Sequence, residues 1–164
     1  MENILYAPWR DEYIQGQKIE GCVFCHISKN AEIDKSLHVL YRDEHCFIVM
    51  NRYPYTPGHF MIIPHTHTDA LEDLDPQAWV HMSALAQKGV RLLKEEFNAQ
   101  GVNIGMNLGK AAGAGIAEHI HMHLVPRWER DTNFITSIGN TRVYSTDFEK
   151  VYQKLLDLIP QYIP

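Results

Sequence analysis

Apolar residues recur along the chain with two different periods, and the changes of period mark out its elements. Leu37 to Tyr41 and Cys46 to Asn51 are rich in β-branched, aromatic and aliphatic residues, and the turn-like Arg42-Asp43-Glu44-His45 between them predicts a hairpin. Tyr53-Pro54-Tyr55-Thr56-Pro57-Gly58 reads as a loop. His59-Phe60-Met61-Ile62-Ile63-Pro64 reads as a third strand, closed by a proline that cannot donate to a ladder. At Asp75-Pro76 the period changes, with an N-cap residue followed by proline in the first turn. Trp79, Met82, Leu85, Ala86, Val90, Leu93 and Phe97 then recur at helical spacing, which predicts one long helix. Val102 to Leu108 and His119 to Pro126 are two further strands, joined by the loop Gly109-Lys110-Ala111-Ala112-Gly113-Ala114-Gly115. A last helix is expected near Thr146-Asp147. The aromatic Tyr6 to Tyr13 has no period and is expected to lie as an irregular arm across the core, with Cys22-Val23-Phe24-Cys25 as a knuckle after it. Strands gathered around one long helix predict an α+β class with a mainly antiparallel sheet. The expected organisation is one domain over residues 1–164, with an arm at 1–20 and a C-terminal extension at 129–164.

Composition narrows the function. A chain of 164 residues, 45% of them hydrophobic, supports one domain with a genuine core. A net charge of −5 argues against a nucleic-acid polymer as partner, so a phosphate-bearing ligand must be held by local dipoles and a few donors. No apolar run is long enough to span a bilayer and the first ten residues lack the plan of a signal peptide, which leads to an expected cytoplasmic location without membrane contact. Three cysteines, two of them as Cys22-x-x-Cys25, fit a metal or redox pair better than a disulfide framework.

The strongest chemical signal is Glu118-His119-Ile120-His121-Met122-His123-Leu124-Val125-Pro126. Its histidines alternate with apolar residues, so on a strand three imidazoles would share one face at intervals of roughly 6–7 Å while Ile120, Met122 and Leu124 entered the opposite layer. Burying three neighbouring rings costs free energy unless each finds a donor and an acceptor, so a purely packing role is disfavoured. Neutral imidazole attacks phosphorus well and leaves well, and can split one substitution at phosphorus into two steps.

His119-Ile120-His121-Met122-His123-Leu124-Val125 resembles the His-φ-His-φ-His-φ-φ signature, φ being apolar, of the histidine-triad nucleotide hydrolases and transferases. Cys46-Phe47-Ile48-Val49-Met50-Asn51-Arg52 with Pro57-Gly58-His59-Phe60-Met61-Ile62-Ile63-Pro64 resembles that family's nucleoside-pocket hairpin, and Asn107 its phosphate-side donor. Trp9-Arg10, Pro126-Arg127-Trp128 and Asp131-Thr132-Asn133-Phe134-Ile135 look like the branch that includes diadenosine-tetraphosphate phosphorylases. The resemblance implies a histidine-triad fold with His121 as nucleophile toward the α-phosphorus, forming an adenylyl-histidine that water or phosphate resolves. It implies His123 as a donor to phosphate oxygens and His59 as an outer residue orienting the nucleophile's ring. It also implies Asn51 at the ribose, Val49 and Leu40 as walls for the base, and Asn107 with Gly113-Ala114-Gly115 at the phosphates. The family commonly carries a hydroxyl residue a few positions before the triad. This chain has Gly115-Ile116-Ala117 there, so backbone donors are expected to serve.

In zinc-bearing relatives, the resemblance further implies, Cys22 and Cys25 are joined by the triad's first histidine, His119, and by a histidine soon after the third strand. By spacing His67 fits that place better than its neighbour His65. Such a zinc would be structural, and a metal-free thiol pair is the competing reading. No organic cofactor is implied. The family usually pairs two subunits through the long helix and a sheet edge, so a homodimer through the region of Trp79 to Leu93 is expected. Three functions stay open: cleavage of dinucleoside polyphosphates by phosphorolysis or hydrolysis, hydrolysis of nucleoside phosphoramidates or adenylyl-lysine, and nucleotide binding with little turnover.

Overall fold

The computed structural model describes residues 20–141 and 143–163. The arm expected over Tyr6 to Tyr13, with Trp9-Arg10, lies outside them. The element order is α1 (Val23–Lys29), β1 (Val39–Arg42), β2 (Cys46–Met50), β3 (Phe60–Pro64), α2 (Pro76–Glu96), β4 (Gly101–Gly105), β5 (Met122–Arg127), α3 (Phe134–Gly139) and α4 (Phe148–Tyr162). The five strands form one antiparallel sheet in the order β1-β2-β3-β5-β4. The α+β class and the long helix are as the sequence predicts.

Local chemistry explains the helices. Asp75 caps α2 by accepting from the backbone of Gln77 at 2.6 Å and of Ala78 at 3.3 Å, with Pro76 in the first turn. Met82, Leu85, Ala86, Leu92 and Leu93 then face the sheet on one stripe. Gly89 of the same helix packs directly on the sheet's side chains. A Cβ there would stand 2.9 Å from Leu124 Cδ2 and from Phe60 Cζ, so any larger residue forces those side chains to shift. Along α4, capped by Asp147, Val151, Tyr152, Leu155 and Ile159 cover the rest of this face, and the Tyr152 hydroxyl donates to the Val39 carbonyl at 3.2 Å.

The sheet has unequal faces. Ile48, Met50, Phe60, Ile62, Ile120, Met122 and Leu124 pack under α2 and α4. On the other face Phe47, Val49, Met61 and Ile63 pack against Phe24 and Ile27 of α1 and against Val39. The second face carries the histidines, because Met61 pairs with His123 across β3 and β5.

Three boundaries depart from expectation for definable reasons. The knuckle at Cys22 is the start of α1, whose Phe24 and Ile27 repeat at helical spacing and are buried. The capped turn α3, where Asn133 accepts from Ile135 at 3.1 Å, was not expected at all. The triad strand begins at Met122 and not at His119. Extending the β3–β5 register would set Pro64 opposite Ile120, where proline has no N–H to give, and the Pro64 carbonyl is taken by the His119 ring. Only His123 therefore lies on the regular strand. The alternation survives the break, since Ile120, Met122 and Leu124 all enter the α2 core.

Candidate active site

The tautomer of each histidine of the triad follows from its hydrogen bonds, directly from a carbonyl for His119 and His121 and through His59 for His123. His121 Nδ1 stands 2.9 Å from the His119 carbonyl. A carbonyl only accepts, so Nδ1 carries the proton and Nε2 keeps its lone pair. His119 has the opposite arrangement: its Nε2 donates to the Pro64 carbonyl at 3.0 Å, leaving Nδ1 unprotonated.

A third relay fixes His123. The backbone N–H of Tyr55 donates to His59 Nδ1 at 3.1 Å, so the proton of a neutral His59 sits on Nε2. That Nε2 donates to His123 Nδ1 at 2.9 Å, which places the remaining proton of His123 on its Nε2. The His121 and His123 rings lie edge to face with centroids 4.9 Å apart. A ring nitrogen with a lone pair thus stands beside a ring carrying an N–H donor, the pairing that substitution at phosphorus uses. Burial depresses His59, with the neighbouring His123 and His121 rings adding to it, to about 3. Burial likewise lowers His123 to about 4, with His121 contributing. Both rings are neutral at physiological pH, as the relay requires.

His59 therefore orients His123, and the ring of His121 is held by the backbone of His119, not by His59 as the resemblance implied. Tyr55 enters the site twice, through its N–H and through a ring 4.7 Å from that of His59. Its role had no signal in the sequence beyond its place in a loop before a strand. The Asn51 amide nitrogen stands 3.4 and 3.3 Å from the two His59 ring nitrogens, and its oxygen accepts from the Tyr53 backbone at 3.0 Å.

The expected nucleoside walls separate. Val49 lies on the histidine face beside Val39, but Leu40 lies in the opposite core under α2 and α4. A register shift between Val39 and Tyr41 in the β1–β2 pairing puts an extra residue there, and the alternation carries Leu40 away from Val49. The glycine loop is also tighter than expected. The Gly113 N–H bonds to the Lys110 carbonyl at 3.0 Å, with Gly113 at φ +89°, and the Ala114 N–H reaches the Gly109 carbonyl at 3.4 Å. Two of the three expected phosphate donors are thus engaged inside a turn, while the Gly115 N–H has no partner among the described residues. Asn107 is partly buried and makes no hydrogen bond to the described residues, so its amide stays available.

A second cluster adjoins the first. Cys22 caps α1 and Cys25 follows one turn on, so both thiols share a side of the helix. His119 Nδ1 stands 3.4 Å from Cys22 Sγ and 3.7 Å from Cys25 Sγ, and His67 Nδ1 stands 3.1 Å from Cys25 Sγ. One ligand atom from each of the four lies within 4.8 Å of the rest. Around a tetrahedral zinc, ligand atoms are separated by roughly 3.3–3.8 Å, so the set fits that ion with little rearrangement. The Pro64 carbonyl supplies the outer partner that orients a metal-binding imidazole. His65 is excluded from the set, since its Nε2 donates to the Asp43 carbonyl at 2.9 Å and its Nδ1 meets Ser28 Oγ at 2.8 Å. Phe24 separates the two clusters, its ring 5.5 Å from that of His119 and 5.1 Å from that of His121.

Comparison with known proteins decides the family. Residues 31–130 match the HIT domain. The chain belongs to the HIT domain family. It is 44% identical over 105 residues to the AP-4-A phosphorylase of Mycobacterium tuberculosis, a match covering 64% of this chain and 54% of that protein. The chain thus spans about half the length of this relative. Adenylylsulfatase HINT3 of Arabidopsis thaliana is 28% identical over 142 residues, covering 87% of this chain and 69% of that protein. Among solved structures, a Zn-bound histidine triad family protein from Mycobacterium smegmatis superposes with a TM-score of 0.70 at 34% identity, over 86% of this chain and 94% of that one. No helix among the described residues is long and apolar enough to cross a membrane.

Proposed function

We propose that this HIT domain protein is an enzyme that cleaves dinucleoside polyphosphates such as diadenosine tetraphosphate, through a nucleotidyl group carried on His121. The observation that carries the reading is the tautomer of His121, whose Nδ1–H is spent on the His119 carbonyl so that Nε2 keeps its lone pair. In the first step this lone pair attacks the α-phosphorus, and the bond to the bridging oxygen breaks. The His123 Nε2–H hydrogen-bonds the leaving oxygen as charge develops there. In the second step phosphate or water attacks the same phosphorus and His121 departs as neutral imidazole. The AP-4-A phosphorylase relative favours phosphate as acceptor. Asn51, Val49, Asn107 and the Gly115 N–H are the groups we assign to nucleotide binding.

Incubation with diadenosine tetraphosphate, with and without inorganic phosphate and beside His121→Ala, tests the reading. Phosphate-dependent ADP plus ATP is the expected result. AMP plus ATP regardless of phosphate would make water the acceptor. No turnover would remove this substrate and turn attention to adenylyl sulfates or phosphoramidates, which present the same α-phosphorus with another leaving group; the adenylylsulfatase relative motivates the former.

Cys22, Cys25, His67 and His119 are the residues we assign to zinc, in a structural role. The metal would join α1 to the segment after β3 and to the start of the triad, and His119 would be a ligand without being a nucleophile. The protein is further proposed to form a homodimer through β4, an outer strand of the sheet with Ile104 exposed, and the outward side of α2. Light scattering after gel filtration measures this directly, and a monomeric mass would remove it.

A further inference from the structure

The third cysteine and the hairpin turn have no part in the site above, yet they collect a second set of ligand atoms on the other face of the sheet. Asp43 lies in the turn between β1 and β2, Cys46 opens β2, and His81 lies near the start of α2. The backbone N–H groups of His45 and Cys46 donate to Asp43 Oδ1 at 2.8 and 2.9 Å. This clamps the carboxylate with Oδ2 toward His81 Nε2, 2.5 Å away. One ligand atom from each of Asp43, Cys46 and His81 lies within 4.8 Å of the others.

The donor chemistry suits a dication. A thiolate and a carboxylate supply two negative charges, and a thiolate, an imidazole and a carboxylate oxygen are all ordinary zinc ligands. The thiol is fully buried, whereas the side chains of Asp43 and His81 are 17% and 34% exposed, which gives a closed floor and an open mouth. At that mouth the His45 ring lies 5.0 Å from the His81 ring, centroid to centroid. Its Nε2 lies 3.2 Å from Glu44 Oε1, a pairing that coordination by His45 would replace. His65 Nε2 donates to the Asp43 carbonyl and braces the turn from behind.

We propose that Asp43, Cys46 and His81 form a second divalent-metal site of the zinc type, with His45 or water as the fourth ligand. Loading releases the Cys46 thiol proton, and the His81 imidazole proton passes from Nε2 to Nδ1 as that lone pair turns to the metal. The ion then takes the place of the hydrogen bonds that join these groups now. Its structural effect is to tie the β1–β2 turn to the start of α2, on the sheet face opposite the histidine triad.

Equilibrium dialysis against buffered zinc, with elemental analysis of wild type and His81→Ala, is the test. Wild type is expected to hold one more zinc per chain than His81→Ala at the same free zinc. In cobalt-loaded protein the thiolate-to-metal charge-transfer absorption is expected to fall in His81→Ala and in Cys46→Ser, while a Cys22→Ser/Cys25→Ser variant retains the Cys46-dependent part. His81 is partly exposed, so its variant keeps the test valid should Cys46→Ser fold poorly. Equal zinc uptake by wild type and His81→Ala overturns the proposal. So does a loss of uptake that leaves the thiolate absorption unchanged, because Cys46 would then not be a ligand. Neither readout depends on nucleotide turnover.

Discussion

His119 and His121 are two residues apart in one short motif, are both buried, and lie on the same side of the chain, but their rings are set in opposite tautomers and face different partners. His119 gives its Nε2 proton to the Pro64 carbonyl and turns a bare Nδ1 to two thiols. His121 gives its Nδ1 proton to the carbonyl of His119 and keeps a bare Nε2. The choice of carbonyl sets the tautomer, and the tautomer sets which ring nitrogen keeps a lone pair, which on the proposed reading makes His119 a ligand and His121 the nucleophile. One residue serves both regions: the side chain of His119 faces the thiols, and its carbonyl aims the His121 ring.

The comparison is broken most strongly through His121. His121→Ala is expected to lower kcat by about 10⁴-fold or more while nucleotide affinity is kept, as steady-state kinetics with equilibrium binding will measure. His119→Ala keeps its backbone carbonyl and so is expected to retain the His121 orientation, losing metal in place of chemistry. Equal loss of kcat in both folded variants would erase the distinction. Next in size, Cys22→Ser is expected to lower zinc content and to drop the melting temperature by roughly 5 °C or more, at about 2–4 °C per kcal/mol for a chain of this length. Elemental analysis with calorimetry on the same samples measures both, and an unchanged melting temperature in a zinc-free wild type would remove the metal from the account.

His59→Asn sharpens the division further. It cuts the relay from Tyr55 to His123 without touching His121, so kcat is expected to fall about 10–100-fold with KM little changed. The smallest effect is on stability against pH. His59 and His123 are depressed to about 3 and about 4 by burial, from an unfolded value near 6.5. Below pH 6.5 the unfolded chain therefore binds protons that the folded chain refuses. The stability these rings contribute is complete above pH 6.5 and is lost as pH falls toward about 4, by up to about 1.4 kcal/mol per pH unit for each histidine. Denaturant unfolding from pH 7 to 4.5 is expected to give a shallower decline in His59→Asn than in wild type.

Much of this was legible in the chain. The cap at Asp75-Pro76, the stripe on α2 and the alternation around the triad each state one physical preference that tertiary packing then honours. The Cys22, Cys25, His67 and His119 set came from a resemblance, and its atoms meet because α1 puts two thiols on one side while the β3 terminus brings His67 beside His119. What was missed depends on irregular backbone. Leu40 is turned into the other core by a register shift, and the loop carries its own hydrogen bonds at Gly113 and Ala114. The relay through Tyr55 is made by a backbone N–H, which leaves no mark in a sequence. The hidden stop at Pro64 could have been found: a proline closing one strand also denies a partner to its neighbour.

The central claim is that His121 carries the nucleotidyl group, and the most direct measurement is the stereochemical course at the α-phosphorus, using a substrate made chiral there as a phosphorothioate. Two successive displacements through His121 are expected to give net retention of configuration. Inversion would mean one direct displacement by phosphate or water, and would contradict the covalent account.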